Sequence, residues 1–167
     1  GMQWAAASVN LTEATLFYVF NIHGSSFPIN IGTANNVTGE YLVLERVNAD
    51  TVDLACGFGN DKRGTLTDIM KYDEWRCISA IIPAAGIHSA TIFNNGAAAA
   101  LSETGSNVTL DIGTLGNGTG GAQTGVGMLG TGNHCEVDIA EILVYGRAMP
   151  DSERAAVDVY LRTKWGI

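Results

Sequence analysis

Asn95-Gly96, in the stretch HSATIFNNGAAAAL (residues 88–101), constrains the fold more than any other pair in the chain. A two-residue type I′ turn needs positive φ at both central positions, which Asn and Gly adopt at little cost, and its twist matches that of antiparallel strands. The segment is therefore read as a β-hairpin. Similar strands surround it. TLFYVFNI (15–22) is aromatic and β-branched, and FPINIG (27–32) follows a Gly-Ser-Ser turn. EYLVLERV (40–47) and TVDLACGF (51–58) flank a short Asn-Ala-Asp turn, and EWRCISAII (74–82) is ended by Pro83. NVTLDIG (107–113) and CEVDIAEILVYG (135–146) complete the set. Between these, GNDKRGTLTD (59–68) reads as a polar loop, and TLGNGTGGAQTGVG (114–127), poor in apolar side chains, as a surface loop. Many strands with no helix between them predict an all-β, antiparallel two-sheet β-sandwich.

Helical signals occur only at the end, in PDSERAAVDVYLRTKWGI (150–167). Pro150 suits a first turn, where its missing N–H costs nothing. Asp151 and Glu153 place negative charge at the positive end of the helix dipole. Val157, Tyr160, Leu161 and Lys164, spaced three and four apart, predict an apolar stripe that packs on the sandwich, with Trp165 just beyond. No internal repeat or linker interrupts the 167 residues, which fit one domain large enough to bury a core.

Composition removes several function classes. A net charge of -8, with nine Lys and Arg, lacks the basic surface that phosphate neutralisation requires, so nucleic acid is not expected as a partner. No apolar run approaches the roughly 18 residues of a membrane span, so membrane insertion is not expected. Cys56, Cys77 and Cys135 are odd in number and lack C-x-x-C spacing, which speaks against zinc; free thiols are expected, a single disulfide being the alternative. Gly1 ahead of Met2 reads as a residue left by tag removal, and no signal peptide is expected in this sequence. The glycine-rich stretch at 114–127 is not followed by a helix and so is no phosphate-binding loop.

Three stretches, in order, carry a family resemblance: TLFYVFNI; WRCISAII through ATIFNNGAAAAL; and DIAEILVYGRAMPDSERAAVDVYLRTKWGI. They resemble an aromatic-rich strand, a Trp-led strand followed by a hairpin ending in N-G, and a closing D-I-A-E segment with its Y-L-x-x-K-W-G helix. On these the chain resembles the concanavalin A-like lectin/glucanase superfamily, in its laminin-G-like bacterial and phage branch. The resemblance covers nearly the whole chain from Thr15 and implies a jelly roll closed by one C-terminal α-helix. It implies, as function, non-catalytic binding of a glycan or cell-surface polymer, possible calcium assistance included. The alternative is a structural or adhesion domain of a phage tail or bacterial surface protein that contacts protein in a larger assembly. An extracellular, cell-surface or virion-associated location follows if the chain belongs to a longer protein. Only MQWAAASVNLTEA precedes the first matching strand, so residues 1–13 are expected to be irregular. Pro150 replaces the Ser that the family often places as N-cap, so a side-chain cap must come from elsewhere or be absent.

Glu136, Asp138 and Glu141 form E-x-D-x-x-E, a pattern that resembles the motif of laminarinase-type hydrolases. In such an enzyme Glu136 would be the nucleophile, Glu141 the acid/base and Asp138 the residue tuning both. Strand alternation puts Glu136 and Asp138 on one face, and Glu141 joins them only if a β-bulge intervenes. From Ile142 both faces are apolar, which predicts an interior strand with Glu141 at its margin. Only 26 residues follow Glu141, too few for the sheet and cleft that follow this motif in the hydrolases. A structural role is therefore expected, with no catalysis.

Oxygen ligands for calcium must converge from loops. Asp61, Asp68 and Asp138 are the candidate calcium ligands, and solvated loop carboxylates are the alternative. Asn60, Asp61, Asn133 and His134 are the candidate ligand-binding residues, His134 beside Asn133 offering hydrogen bonds to a sugar. Trp75 and Trp165 are expected in the core or at a seam, although indoles also stack on sugar rings. Asn10, Asn36, Asn107 and Asn117 each open an N-x-S/T sequon.

Overall fold

In the computed structural model of the protein, residues 2–3, 7–23, 29–32, 41–46, 51–55, 61–65, 72–115, 125–126, 128–129, 133–134 and 136–167 are described. The first strands are β1 (Met2–Gln3), β2 (Ala7–Leu11), β3 (Ala14–Ile22), β4 (Ile29–Gly32), β5 (Tyr41–Arg46) and β6 (Thr51–Ala55). Next come β7 (Asp61–Thr65), β8 (Trp75–Ile82), β9 (Thr91–Asn94), β10 (Ala97–Ala98), β11 (Ser102–Thr104) and β12 (Ile112–Leu115). The last are β13 (Gly125–Val126), β14 (Met128–Leu129), β15 (Asn133–His134) and β16 (Val137–Tyr145), followed by helix α1 (Asp151–Trp165).

A seven-stranded sheet runs β1-β13-β4-β5-β6-β7-β11, and a five-stranded sheet runs β10-β9-β8-β3-β16; β12 pairs with β2 and β14 with β15. The strand ladders are antiparallel, as short turns between neighbouring strands require.

Strand β3 organises the interior because its side chains alternate between two cores. Leu16, Tyr18, Phe20 and Ile22 join Ile78, Ala80 and Ile82 of β8, Ile92 of β9, and Leu44 and Leu54 of the seven-stranded sheet. Phe17 and Val19 face the other way and join Cys77, Met149 and Leu161, the last from α1. Removing one such large apolar side chain from water is worth about 2–3 kcal/mol. Burial pushes the Tyr18 phenol far above its ordinary pKa.

The hairpin at Asn95-Gly96 has φ 49° and 85°, the two positive values a type I′ turn demands. Helix α1 begins after Pro150, which is the N-cap and offers no side-chain cap; its carbonyl accepts the amides of Glu153 and Arg154 at 3.0 and 3.1 Å. Thr15 ties β3 to the connection between β16 and α1: its hydroxyl donates to Arg147 O at 2.8 Å and accepts from Met149 N at 2.9 Å.

Several expectations are corrected. The N-terminal segment is not irregular: β2 pairs with β12 and β1 with β13, so the backbone of residues 2–3 and 7–11 is in ladders. The polar stretch at 59–68 contains β7, because main-chain pairing with β6 and β11 needs no apolar side chains. The strand expected at 107–113 starts only at Ile112, and the glycine-rich 114–127 stretch contributes the end of β12 and all of β13. Among the described residues β16 is the edge of its sheet, not an interior strand; its second apolar face is covered by α1. The inward face of α1 is also different. Arg154, Asp158 and Leu161 are buried, whereas Tyr160 is 59% exposed. Cys77 is a buried free thiol, with its pKa pushed up to about 12 by burial first and by the neighbouring Asp158 carboxylate second; Cys56 and Cys135 lie outside the described residues.

Candidate functional site

The acidic trio lies where β16 passes the C-terminal end of α1. Val137, Ile139, Ile142 and Val144 pack against the inter-sheet core, whereas Ala140, Leu143 and Tyr145 face the helix. Two successive residues, Ala140 and Glu141, thus point to the same side. The register accounts for it: Ile139 opposes Phe20 and Glu141 opposes Val19, with Ala140 bulged out. The bulge places Asp138 and Glu141 together on the outer, helix-bearing face.

Each carboxylate on this face is already engaged. Asp138 Oδ2 lies 3.0 Å from His23 Nε2, and Asp73 Oδ1 lies 2.8 Å from His23 Nδ1. A carboxylate oxygen within hydrogen-bond distance of each ring nitrogen favours the protonated ring. The Asp73 bond first and the Asp138 bond second hold the His23 pKa above 6.5. Glu141 Oε2 accepts from Lys164 Nζ at 2.7 Å and Trp165 Nε1 at 2.9 Å. These bonds, Lys164 first, hold Glu141 below the usual carboxylate range and raise Lys164. Glu136 sits exposed just before β16, its carbonyl accepting the amide of His23 at 2.8 Å.

The arrangement gives a pH prediction. A group whose folded pKa is raised contributes stability that is complete below its unfolded value and is lost as pH rises through the folded value. Melting temperature is therefore expected to fall as pH is raised from 6.5 through the His23 titration. His23→Gln should flatten that slope in thermal melts across pH; an unchanged slope would show that the clamp does not form.

A glycosidase acid/base needs a raised pKa, so that it holds a proton to donate at neutral pH. Glu141 is shifted the other way by its cation and indole partners. Asp138 and Glu141 are engaged in ion pairs.

Of the other candidates, Asp61, Asn133 and His134 lie on strands other than β16. Asp61 opens β7 in the seven-stranded sheet, opposite Ala55 and Thr104, while Asp138 belongs to the five-stranded sheet and one of its oxygens is bonded to His23. Asn133 and His134 form β15 opposite Leu129 and Met128. Asn60 and Asp68 lie outside the described residues. Among the described residues no three His, Cys, Asp or Glu side chains are grouped to hold a metal ion. Among the described residues no helix is long and apolar enough to cross a membrane.

The two tryptophans are more exposed than their expected place in the core or at a seam implies. Trp75 and Trp165 are each 41% exposed, and neither lies in the core. Trp75 opposes Asn21, which opposes Asp138, and directly opposed residues share a face. The side of that face was readable from TLFYVFNI, since Asn21 has the parity of Phe17 and Val19. The exposure was not. Of the sequons, Asn107 is tied up, its Oδ1 accepting His88 N at 3.0 Å and its Nδ2 donating to Ala85 O at 2.8 Å. Asn36 and Asn117 lie outside the described residues.

No protein-family model and no curated protein sequence matches the chain. Solved structures do. A SAP-like pentraxin from Limulus polyphemus superposes with a TM-score of 0.64 at 13% identity, covering 90% of this chain and 71% of the pentraxin. The CBM40 of Ruminococcus gnavus IT-sialidase, solved bound to alpha2,3 sialyllactose, gives 0.53 at 14% identity, over 94% of this chain and 98% of the module. Trypanosoma rangeli sialidase gives 0.58 at 13% identity, over 89% of this chain, which spans only 23% of the sialidase. The likeness is one of fold. These neighbours are β-sandwich jelly rolls, and the chain shares their coarse architecture in being mostly antiparallel β, with one C-terminal helix.

Proposed function

We propose that the chain is a non-catalytic carbohydrate-binding module, a two-sheet jelly roll of the laminin-G-like type carried by a bacterial or phage surface protein. One observation supports this above others: the superposition spans nearly all of a module solved with a bound oligosaccharide, but under a quarter of a sialidase. The likeness is to a complete binding unit. The acidic trio supports the non-catalytic part, because Asp138 and Glu141 are occupied by ion-pair partners and Glu141 is shifted away from acid/base use. Fold alone does not dictate activity, so the reading stands or falls on binding.

The expected result on a glycan array is retention of at least one oligosaccharide, and repeating the array with a chelator tests calcium assistance. Incubation with laminarin should release no reducing ends. Release that disappears in Glu136→Gln would restore the hydrolase reading. Silence across the array would favour a structural or adhesion role in a larger assembly.

A further inference from the structure

We infer that the outer face of the five-stranded sheet, at the end α1 leaves uncovered, binds a neutral pyranoside, with Trp75 and Trp165 as stacking surfaces and Asp138, Glu141 and Lys164 as hydrogen-bonding groups. The inference rests on the module reading above and adds a place and a ligand class.

The register builds the face. Asp138 of β16, Asn21 of β3 and Trp75 of β8 form one row across three strands, all on the side of Phe17, Val19 and Cys77. Farther along the sheet α1 covers this side, with Leu161 fully buried against it. Trp165 is the last residue of α1, and its indole N–H reaches Glu141, one step along β16 from Asp138. The two indoles therefore flank Asn21 and Asp138. Strands lie about 4.8 Å apart, so Trp75 and the β16 carboxylates are separated by about 10 Å, the scale of one sugar ring with its hydroxyls.

The chemistry fits a sugar. An indole left 41% exposed keeps a large apolar surface in water, and two at one end of one sheet face do so together. The C–H face of a pyranose covers such a surface, its weakly positive hydrogens meeting the negative π cloud. Hydroxyls need acceptors and donors at the rim. Asp138 keeps acceptor capacity beyond its single His23 bond, and Lys164 carries donors beside Glu141. Charge selects against an anionic sugar. Asp73, Asp138 and Glu141 face Lys164 and His23 here, on a chain of net charge -8, so a sialoside carboxylate is repelled.

The test uses 15N NMR and calorimetry with lactose, cellotetraose, laminaritetraose and xylotetraose, and α2,3-sialyllactose as the charged comparison. At least one neutral oligosaccharide should shift the indole N–H signals of Trp75 and Trp165. Trp75→Ala and Trp165→Ala should each weaken its binding about tenfold with the fold retained. Trp165→Phe, which keeps a ring but lacks the indole N–H, should retain most of the affinity. Equal affinity in both alanine variants would place the site elsewhere and overturn the inference, leaving the module reading intact. Tighter binding of sialyllactose than of lactose would overturn the neutral class. Failure of every neutral oligosaccharide overturns the inference too, and a silent glycan array overturns the module reading with it.

Discussion

Replacing Asp158 by alanine is expected to lower the unfolding free energy by about 3 kcal/mol in urea titrations, a large share of a domain's net stability. Asp158 is only 1% exposed. Its Oδ2 accepts from Arg162 Nε at 2.7 Å, and its Oδ1 faces Arg154 Nη1 at 4.0 Å, too far for a hydrogen bond. Arg154 is itself buried, its Nε bonded to Asp151 at 2.8 Å and its guanidinium 3.6 Å from the centroid of the Phe93 ring. Positions 154, 158 and 162 thus form an i, i+4, i+8 ladder by which the helix meets the sheet. Breaking a buried pair leaves the remaining charge desolvated without compensation, which is why such losses exceed those of surface pairs. If that is the cause, Asp158→Ala combined with Arg162→Ala should cost less than the sum of the two single changes. A loss under about 0.5 kcal/mol for Asp158→Ala, the range of an exposed pair, would sink this account of the docking.

The same ladder shows where sequence reasoning reached its limit. Val157, Tyr160, Leu161 and Lys164 satisfy a helical apolar stripe, and Leu161 is indeed buried, with Val157 packed beside it. Apolarity alone cannot say that Arg154 and Asp158 turn inward as well, because the bonds to Asp151, Ser79 and Arg162 and the contact with Phe93 are what make that burial tolerable. By contrast the Asn95-Gly96 turn was legible, since its φ requirement is written in two residue types. Strand β7 was hidden for a different reason: its ladder is formed by main-chain groups, which every residue carries. The bulge at Ala140 left a visible trace, the break in alternation that makes both faces apolar from Ile142. Whether such a break marks a bulge or an interior strand depends on what covers the second face, and here that is α1. The acidic trio shows the same division. Its spacing was plain in the sequence, but its partners His23, Asp73, Lys164 and Trp165 come from elsewhere in the chain and had no local signal.

Gly86→Ala is expected to lower the melting temperature by roughly 10 °C, corresponding to about 3 kcal/mol in a chain of this size. Gly86 holds φ 103°, a conformation that costs an L-residue free energy before any contact is considered. An added Cβ would also stand 2.4 Å from Asn107 Oδ1 and 2.9 Å from Val108 O. Neither neighbour is free to yield. Asn107 spans the turn by bonding His88 N and Ala85 O, and Val108 O accepts the amide of Ile87 at 2.8 Å. Retreat of Val108 would unseat Ile87, which is fully buried in the inter-sheet core, so the strain reaches the packing on which the fold depends. A second substitution separates the contributions. Asn107→Ala removes the nearer clash but also two hydrogen bonds, so alone it should destabilise, whereas Gly86→Ala added to it should cost less than in the native background. Equal costs in both backgrounds would assign the whole effect to φ and Val108. A melting temperature untouched by Gly86→Ala would mean that the turn does not hold this geometry.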